Sequence, residues 1–165
     1  MLGKQTLPST LLPLTIQRFD GPRSQIRAFF ELADDSPPEI DRYIEEGEVL
    51  VARRSAEVVG HVQVIYYGVQ WEIKSIAVAA QQQRQGIGTA LVRSVLQRAQ
   101  LENCPRVVVG TATADIDNLR FYQRLGFRMD RIERDAFRCE LGYEPLEIDG
   151  IPLRDRVWFS FDVRG

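Results

Sequence analysis

The segment Gln83-Arg84-Gln85-Gly86-Ile87-Gly88 stands between a run that reads as a strand and a run that reads as a helix. The run before it is Ile73-Lys74-Ser75-Ile76-Ala77-Val78-Ala79-Ala80, and the run after it is Thr89 to Ala99. That order confines the chain to folds in which a strand feeds a helix through a tight turn. The first N–H groups of such a helix have no intrahelical partner, and the aligned peptide dipoles place roughly half a positive charge there. Gly86 and Gly88 lack Cβ atoms, so a phosphate can approach the backbone closely, and Arg84 adds a cation. Two phosphate motifs are excluded. The Lys-Ser/Thr pair of a P-loop is absent. The third glycine of a dinucleotide fingerprint is replaced by Leu91, with no acidic residue at the ribose-binding distance.

The rest of the chain reads as one domain. Its 165 residues suit a single core, and 44% hydrophobic with 27% charged residues is the composition of an ordinary globule. Leu14–Arg18 is a first strand, and Arg23–Leu32 is helical with Ile26, Phe29 and Phe30 on one face. Ser36-Pro37-Pro38 caps and starts a second helix, expected to run to about Glu46 and stop at Gly47. Glu48–Arg53 and Val58–Tyr67 are β-branched strands joined at Ser55-Ala56-Glu57, and Trp71–Ala79 is the next. Ile87, Leu91, Val95 and Ala99 make a core-facing helix stripe. Arg106–Val109 is a short apolar strand. Asp115 caps a helix carrying Ile116, Leu119, Tyr122 and Leu125, with Gly126 past its end. Phe127–Arg138 and Arg156–Val163 are the last two strands, separated by a long loop. Met1–Pro13 is expected to be a flexible leader and is a poor signal peptide; 14–165 is the domain.

The pattern Q/R-x-x-G-x-G/A after a strand, here Gln83 to Gly88, resembles the pyrophosphate-binding motif of the GNAT acetyltransferase superfamily. Arg120-Phe121-Tyr122-Gln123-Arg124-Leu125-Gly126-Phe127 is similar to that family's motif ending in Y-x-x-x-G-F. The element order β-α-α-β-β-β-α-β-α-β-β matches its topology along nearly the whole chain. The resemblance implies an α/β (α+β) fold with a GNAT-type mixed, mostly antiparallel six- to seven-stranded sheet and helices on both faces.

The resemblance also implies a function: acetyl-CoA-dependent transfer of an acetyl group to an amine by direct attack in a ternary complex. Ile76, Ala77 and Val78, on a bulged strand that splays from its neighbour, would meet pantetheine. Gln83, Arg84, Gln85, Gly86, Ile87, Gly88 and Thr89 would hold the pyrophosphate. Many family members carry asparagine seven positions before the tyrosine; here Asp115 stands there, so Asp115 is expected to cap the helix and Asn118 to take the amide contact. Tyr122 would protonate the leaving thiolate, since a phenol with pKa near 10 can do so within hydrogen-bond reach. Glu72 would be the general base, its pKa raised in a partly apolar cleft. The other reading of Glu72 is a surface acid at a strand start, and that of Tyr122 a core aromatic.

His61 lies in an apolar strand and reads as a structural histidine. With no second His or patterned cysteine, no metal is expected. Cys104 and Cys139 have no CxxC spacing and read as separate reduced thiols, which favours a cytoplasmic protein; Cys104 is not expected to be a nucleophile. No run approaches a membrane span, and a net charge of −2 without a basic stripe argues against nucleic acid. Charge is uneven along the chain. Eight acids and one base lie between Glu31 and Glu48, and six acids and two bases between Glu133 and Asp149. Seven arginines and three acids lie between Arg84 and Arg128. An acidic acceptor side would concentrate a cationic amine, or these acids are ordinary solvated faces. A homodimer through C-terminal strands follows by resemblance alone. The alternative function is a non-catalytic CoA-binding sensor or scaffold.

Overall fold

The computed structural model describes residues 13–164, so the expected leader lies almost wholly outside the described residues. Seven strands form one sheet in the order β1 (Leu14–Arg18), β2 (Glu48–Arg54), β3 (Glu57–Tyr67), β4 (Gln70–Val78), β5 (Arg106–Ala112), β9 (Arg156–Asp162), β6 (Arg128–Glu133). Only β4 and β5 pair in parallel. They are joined by the crossover helix α3 (Ile87–Leu101), as a parallel pair requires. α1 (Arg27–Ala33) and α2 (Pro37–Tyr43) cover one face of the sheet; α3 and α4 (Ile116–Arg124) cover the other. β7 (Glu147–Ile148) and β8 (Ile151–Pro152) are a small separate hairpin. The expected sheet and its two helical layers are therefore found.

The larger core lies under α3, whose Ile87, Leu91, Val92, Val95 and Ala99 are all buried against the sheet. Each large apolar side chain among them contributes about 1.5–3 kcal/mol by leaving water. The smaller core packs Phe30, Ile40 and Tyr43 against Val49, Val51 and Ile65.

The larger differences from the sequence reading are at the ends of α2, β6 and β5. α2 stops at Tyr43 because its last carbonyls are taken by side chains. Buried Gln63 donates to Tyr43 O at 2.7 Å and Glu46 O at 2.8 Å, and Arg23 donates to Ile44 O at 2.7 Å. Gly47 then turns the chain at φ +57°, where a Cβ would lie 2.0 Å from Val64 O. The strand expected over Phe127–Arg138 ends at Glu133, because Asp135 adopts φ +54° and its N–H is held by the Asp155 carboxylate at 2.8 Å. β5 runs three residues past Val109, since β9 pairs with it as far as Ala112.

Candidate active site

Two departures from regular pairing open the sheet. In β3–β4, Gln63 faces Ser75 and Val64 faces Ile73, which leaves Lys74 as an extra residue in β4. This bulge breaks the alternation of side chains. Trp71 and Ile73 belong to the α3-side core, whereas Lys74 and Ser75 both turn to the α1–α2 face. Lys74 Nζ lies 5.0 Å above the Tyr43 ring, and Ser75 Oγ lies 2.9 Å from His61 Nε2. The second departure follows at once: β4–β5 pairing ends at Ile73↔Val109, and β4 continues to Val78 without β5.

The backbone beyond that point has a definite polarity. The Ala79 N–H donates to Val59 O at 2.9 Å, so residues 79, 77 and 75 direct their amide groups toward β3. Ile76 and Val78 therefore direct theirs into the gap. Ala77 borders the cleft by its side chain instead.

The gap widens into a cleft of about 950 Å³. At one end is the turn into α3. Gly86 adopts φ +78° at the N-cap position, and a Cβ there would meet nothing within 4 Å, so the turn is open to a ligand. Ala90 N bonds back to Gly86 O, leaving the N–H groups of Ile87, Gly88 and Thr89 without intrahelical acceptors. Gln83 closes the turn by donating to Val78 O at 3.2 Å.

Tyr122 enters from α4. It is 3% exposed and packs against Phe121, Phe127 and Phe159, so it is a core aromatic that also borders the cleft. Burial, and then the charge of Asp115, push its phenol well above the ordinary value, so it holds its proton throughout the neutral range. Asp115 caps α4 through the Asn118 N–H at 2.9 Å. The Asn118 amide donates to Asp115 at 2.8 Å and Thr111 Oγ1 at 3.3 Å, which leaves its carbonyl oxygen to accept.

Glu72 borders the same cleft with its side chain 12% exposed. Burial raises its pKa, opposed by Lys74, whose Nζ is 3.7 Å away, and by Arg156.

Of the residues singled out from the sequence, Glu72, Ile76, Ala77, Val78, Gln83, Arg84, Gly86, Ile87, Gly88, Thr89, Asn118 and Tyr122 all border this one cleft. Gln85 does not: its carbonyl oxygen is turned back to accept from Arg54 at 2.6 Å. His61 is fully buried against Phe30 and is held neutral, its pKa pushed down to about 3 by burial and then by Arg23. Cys104 is buried and Cys139 exposed, both unpaired. Among the described residues no His, Cys, Asp and Glu side chains cluster to hold a metal ion, and no helix is long and apolar enough to cross a membrane.

The sequence reading missed the other end of the cleft. Phe137, Tyr143 and Leu153 come from the long loop, Arg156 and Trp158 from β9, and Leu32, Asp34 and Asp35 from the end of α1. Arg156 lies along β5 over Gly110, where a Cβ would sit 2.7 Å from its Cδ, and it stacks 5.0 Å from the Phe137 ring. Gly110 inside a strand was the one available signal, since an interior glycine marks a close approach. The structure also places the acids of the segment Glu31–Glu48 one by one. Of the acids between Glu31 and Glu48, only Asp34 and Asp35 reach the cleft. Glu31 and Asp41 pair with Arg27, Glu39 with Arg42, and Glu48 with Arg98. Lys74 and Arg156 line the same cleft, Lys74 3.7 Å from Glu72 and Arg156 3.2 Å from Glu133.

A splayed β4–β5 pair beside a glycine turn at a helix N-terminus is the arrangement that the acetyltransferase resemblance implies. The model of the Acetyltransferase (GNAT) family matches residues 20–127, and the chain belongs to that family. It is 32% identical over 133 residues to the uncharacterized N-acetyltransferase YvbK of Bacillus subtilis (strain 168), covering 80% of this chain and 85% of that protein. A GNAT family acetyltransferase from Elizabethkingia anophelis with acetyl-CoA bound superimposes with TM-score 0.83 at 30% identity, over 90% of this chain and 97% of the other. A Bacillus subtilis acetyltransferase in complex with CoA gives TM-score 0.82 at 29% identity, over 91% and 99%.

Proposed function

We propose that this chain is an acetyl-CoA-dependent N-acetyltransferase that works by direct attack in a ternary complex. One observation carries the reading: a protonated phenol and a carboxylate of raised pKa border the same gap as the open backbone of Ile76 and Val78. The amine nitrogen attacks the thioester carbonyl carbon, and the C–S bond breaks as the new C–N bond forms. Glu72 takes the proton lost by the amine, directly or through water. Tyr122 gives its proton to the departing sulfur. Desolvation raises the thiol pKa as it raises that of Tyr122, so the shift in the phenol does not by itself make this transfer uphill.

The diphosphate of acetyl-CoA is assigned to Gln83–Thr89 and the pantetheine arm to Ile76, Val78 and the Asn118 carbonyl oxygen. No metal is needed in this scheme. A homodimer through β6 belongs to the same proposal, since β6 ends the sheet and exposes Met129 and Ile132. A screen of amines with acetyl-CoA, read by release of free CoA thiol, tests the function. Acetyl-CoA bound tightly with no amine turned over would leave the non-catalytic sensor as the better reading. Sedimentation at micromolar concentration tests the dimer.

A further inference from the structure

β2 directs Leu50, Ala52 and Arg54 to the α3 face of the sheet, because alternate residues share a face. Leu50 and Ala52 are core. Arg54, the third in the row, is only 8% exposed. Its Nη1 donates to Gln82 Oε1 at 2.8 Å and Gln85 Oε1 at 2.6 Å, and its Nε is buried without a partner. Among the described residues its side-chain hydrogen-bond partners are these two neutral amides, and Met1–Leu12 contains no Asp or Glu. A guanidinium largely removed from water with only neutral acceptors carries a desolvation cost that no counter-charge offsets. Both acceptors belong to the segment that turns into α3, and Gln82 borders the cleft. The two amides accept from Arg54 through their oxygens, so their NH2 ends point away from it.

We propose that Arg54 is a positioning residue whose missing counter-charge is the diphosphate of CoA. It holds the turn through Gln82 and Gln85, and its buried positive charge acts on the phosphates from behind them. The inference rests on the acetyl-CoA reading of the turn and adds to it a residue some thirty positions upstream that never touches the ligand. A single buried charge acting through a partly dry medium changes the affinity of a doubly charged group by about tenfold.

The test compares three probes on the full chain by calorimetry and ligand-detected NMR: CoA, ADP 3′-phosphate, which lacks the pantetheine arm, and pantetheine, which lacks the phosphates. Arg54→Met should weaken CoA and ADP 3′-phosphate alike by about tenfold. Pantetheine affinity should not change, and the urea midpoint without ligand should stay level or rise, because removing a buried unpaired charge relieves a cost. Arg54→Lys keeps the charge and should bind CoA more tightly than Arg54→Met. The proposal is overturned by unchanged CoA affinity in Arg54→Met, by an equal loss for pantetheine, or by lysine and methionine variants that behave alike. It is also overturned if Arg54→Met alone is unstable or cannot fold, which would make Arg54 a structural brace. A wild-type chain that binds none of the three probes would overturn the acetyl-CoA reading itself.

Discussion

The end of the cleft proposed for the coenzyme comes from one stretch, Ile76–Thr89, with Asn118 and Tyr122 added from α4. The end proposed for the acceptor comes from the last turn of α1, the bulge in β4, the loop before β9, and β9 itself. The coenzyme end is largely backbone: open amides of a strand, free N–H groups of a helix, and a glycine at φ +78°. The end proposed for the acceptor is rich in large side chains, with Phe137, Tyr143 and Trp158 beside Glu72, Asp34, Asp35, Lys74 and Arg156. Groups that read a constant ligand can be backbone, because backbone geometry survives substitution. Groups that select a variable acceptor must be side chains, because only they can be changed without refolding the sheet.

This contrast can be broken by mutation. Tyr122→Phe should produce the largest effect, a fall in turnover of roughly 10²–10⁴ with acetyl-CoA affinity retained. Steady-state rates beside a calorimetric titration of CoA decide it, and normal turnover would leave Tyr122 as core only.

Gly86→Val tests the coenzyme end alone. Ligand at 100 times its dissociation constant should stabilise wild type by about 2.7 kcal/mol, and the valine variant should lose that shift. Gly86→Ala is the control: it shares the strain of a positive φ, and its methyl has open space, so its ligand-induced melting shift should largely survive. A full shift in the valine variant would remove the phosphates from this turn.

Glu72→Gln sharpens the comparison through pH. A raised pKa means that the basic form accumulates only above the ordinary carboxylate range, so the wild-type rate rises with pH there. The variant should lose that limb and slow by roughly 10². The linkage has the opposite sign for stability. Glu72 holds its proton longer folded than unfolded, so its favourable contribution exists at low pH and is lost as pH rises through the folded pKa. Above that point Glu72→Gln should unfold at equal or higher urea. An intact pH limb in the variant would route the proton elsewhere.

At the acceptor end, Phe137→Ala should raise the acceptor KM by about tenfold while CoA affinity stays constant, the size expected for one aromatic contact in a pocket. Coupled loss of CoA affinity would mean that the two ends are not independent. The smallest effect is expected from salt. With four of the acids between Glu31 and Glu48 paired with arginines, and Lys74 and Arg156 lining the same cleft as Asp34 and Asp35, kcat/KM should change less than about threefold between 0.1 and 1 M salt, although the Debye length falls from about 10 to 3 Å. A steep decline would restore electrostatic steering of a cationic amine.

The turn, the stripe of α3, the Ser36 and Asp115 caps and most strand positions were legible in the sequence because each depends on residues within about one helical turn. A glycine at a strand-to-helix junction, an oxygen-bearing cap and an i, i+4 apolar row act locally, and the structure bears them out. His61 is fully buried, as expected of an isolated histidine in a β-branched strand.

What only the tertiary structure decided depends on groups distant in the chain. The stop of α2 is set by Gln63 and Arg23, and the stop of β6 by Asp155. The bulge at Lys74 exists only relative to β3, and the splay only relative to β5. Counts of acids could not foretell which ones face the cleft, because that depends on which arginines reach them first. Nor could Arg54 be told from any other arginine at the end of a strand until its burial beneath Gln82 and Gln85 was seen. Local chemistry specifies the elements and the glycine turn into α3; burial and long-range pairing decide which side chains share a cavity and which charges find a partner.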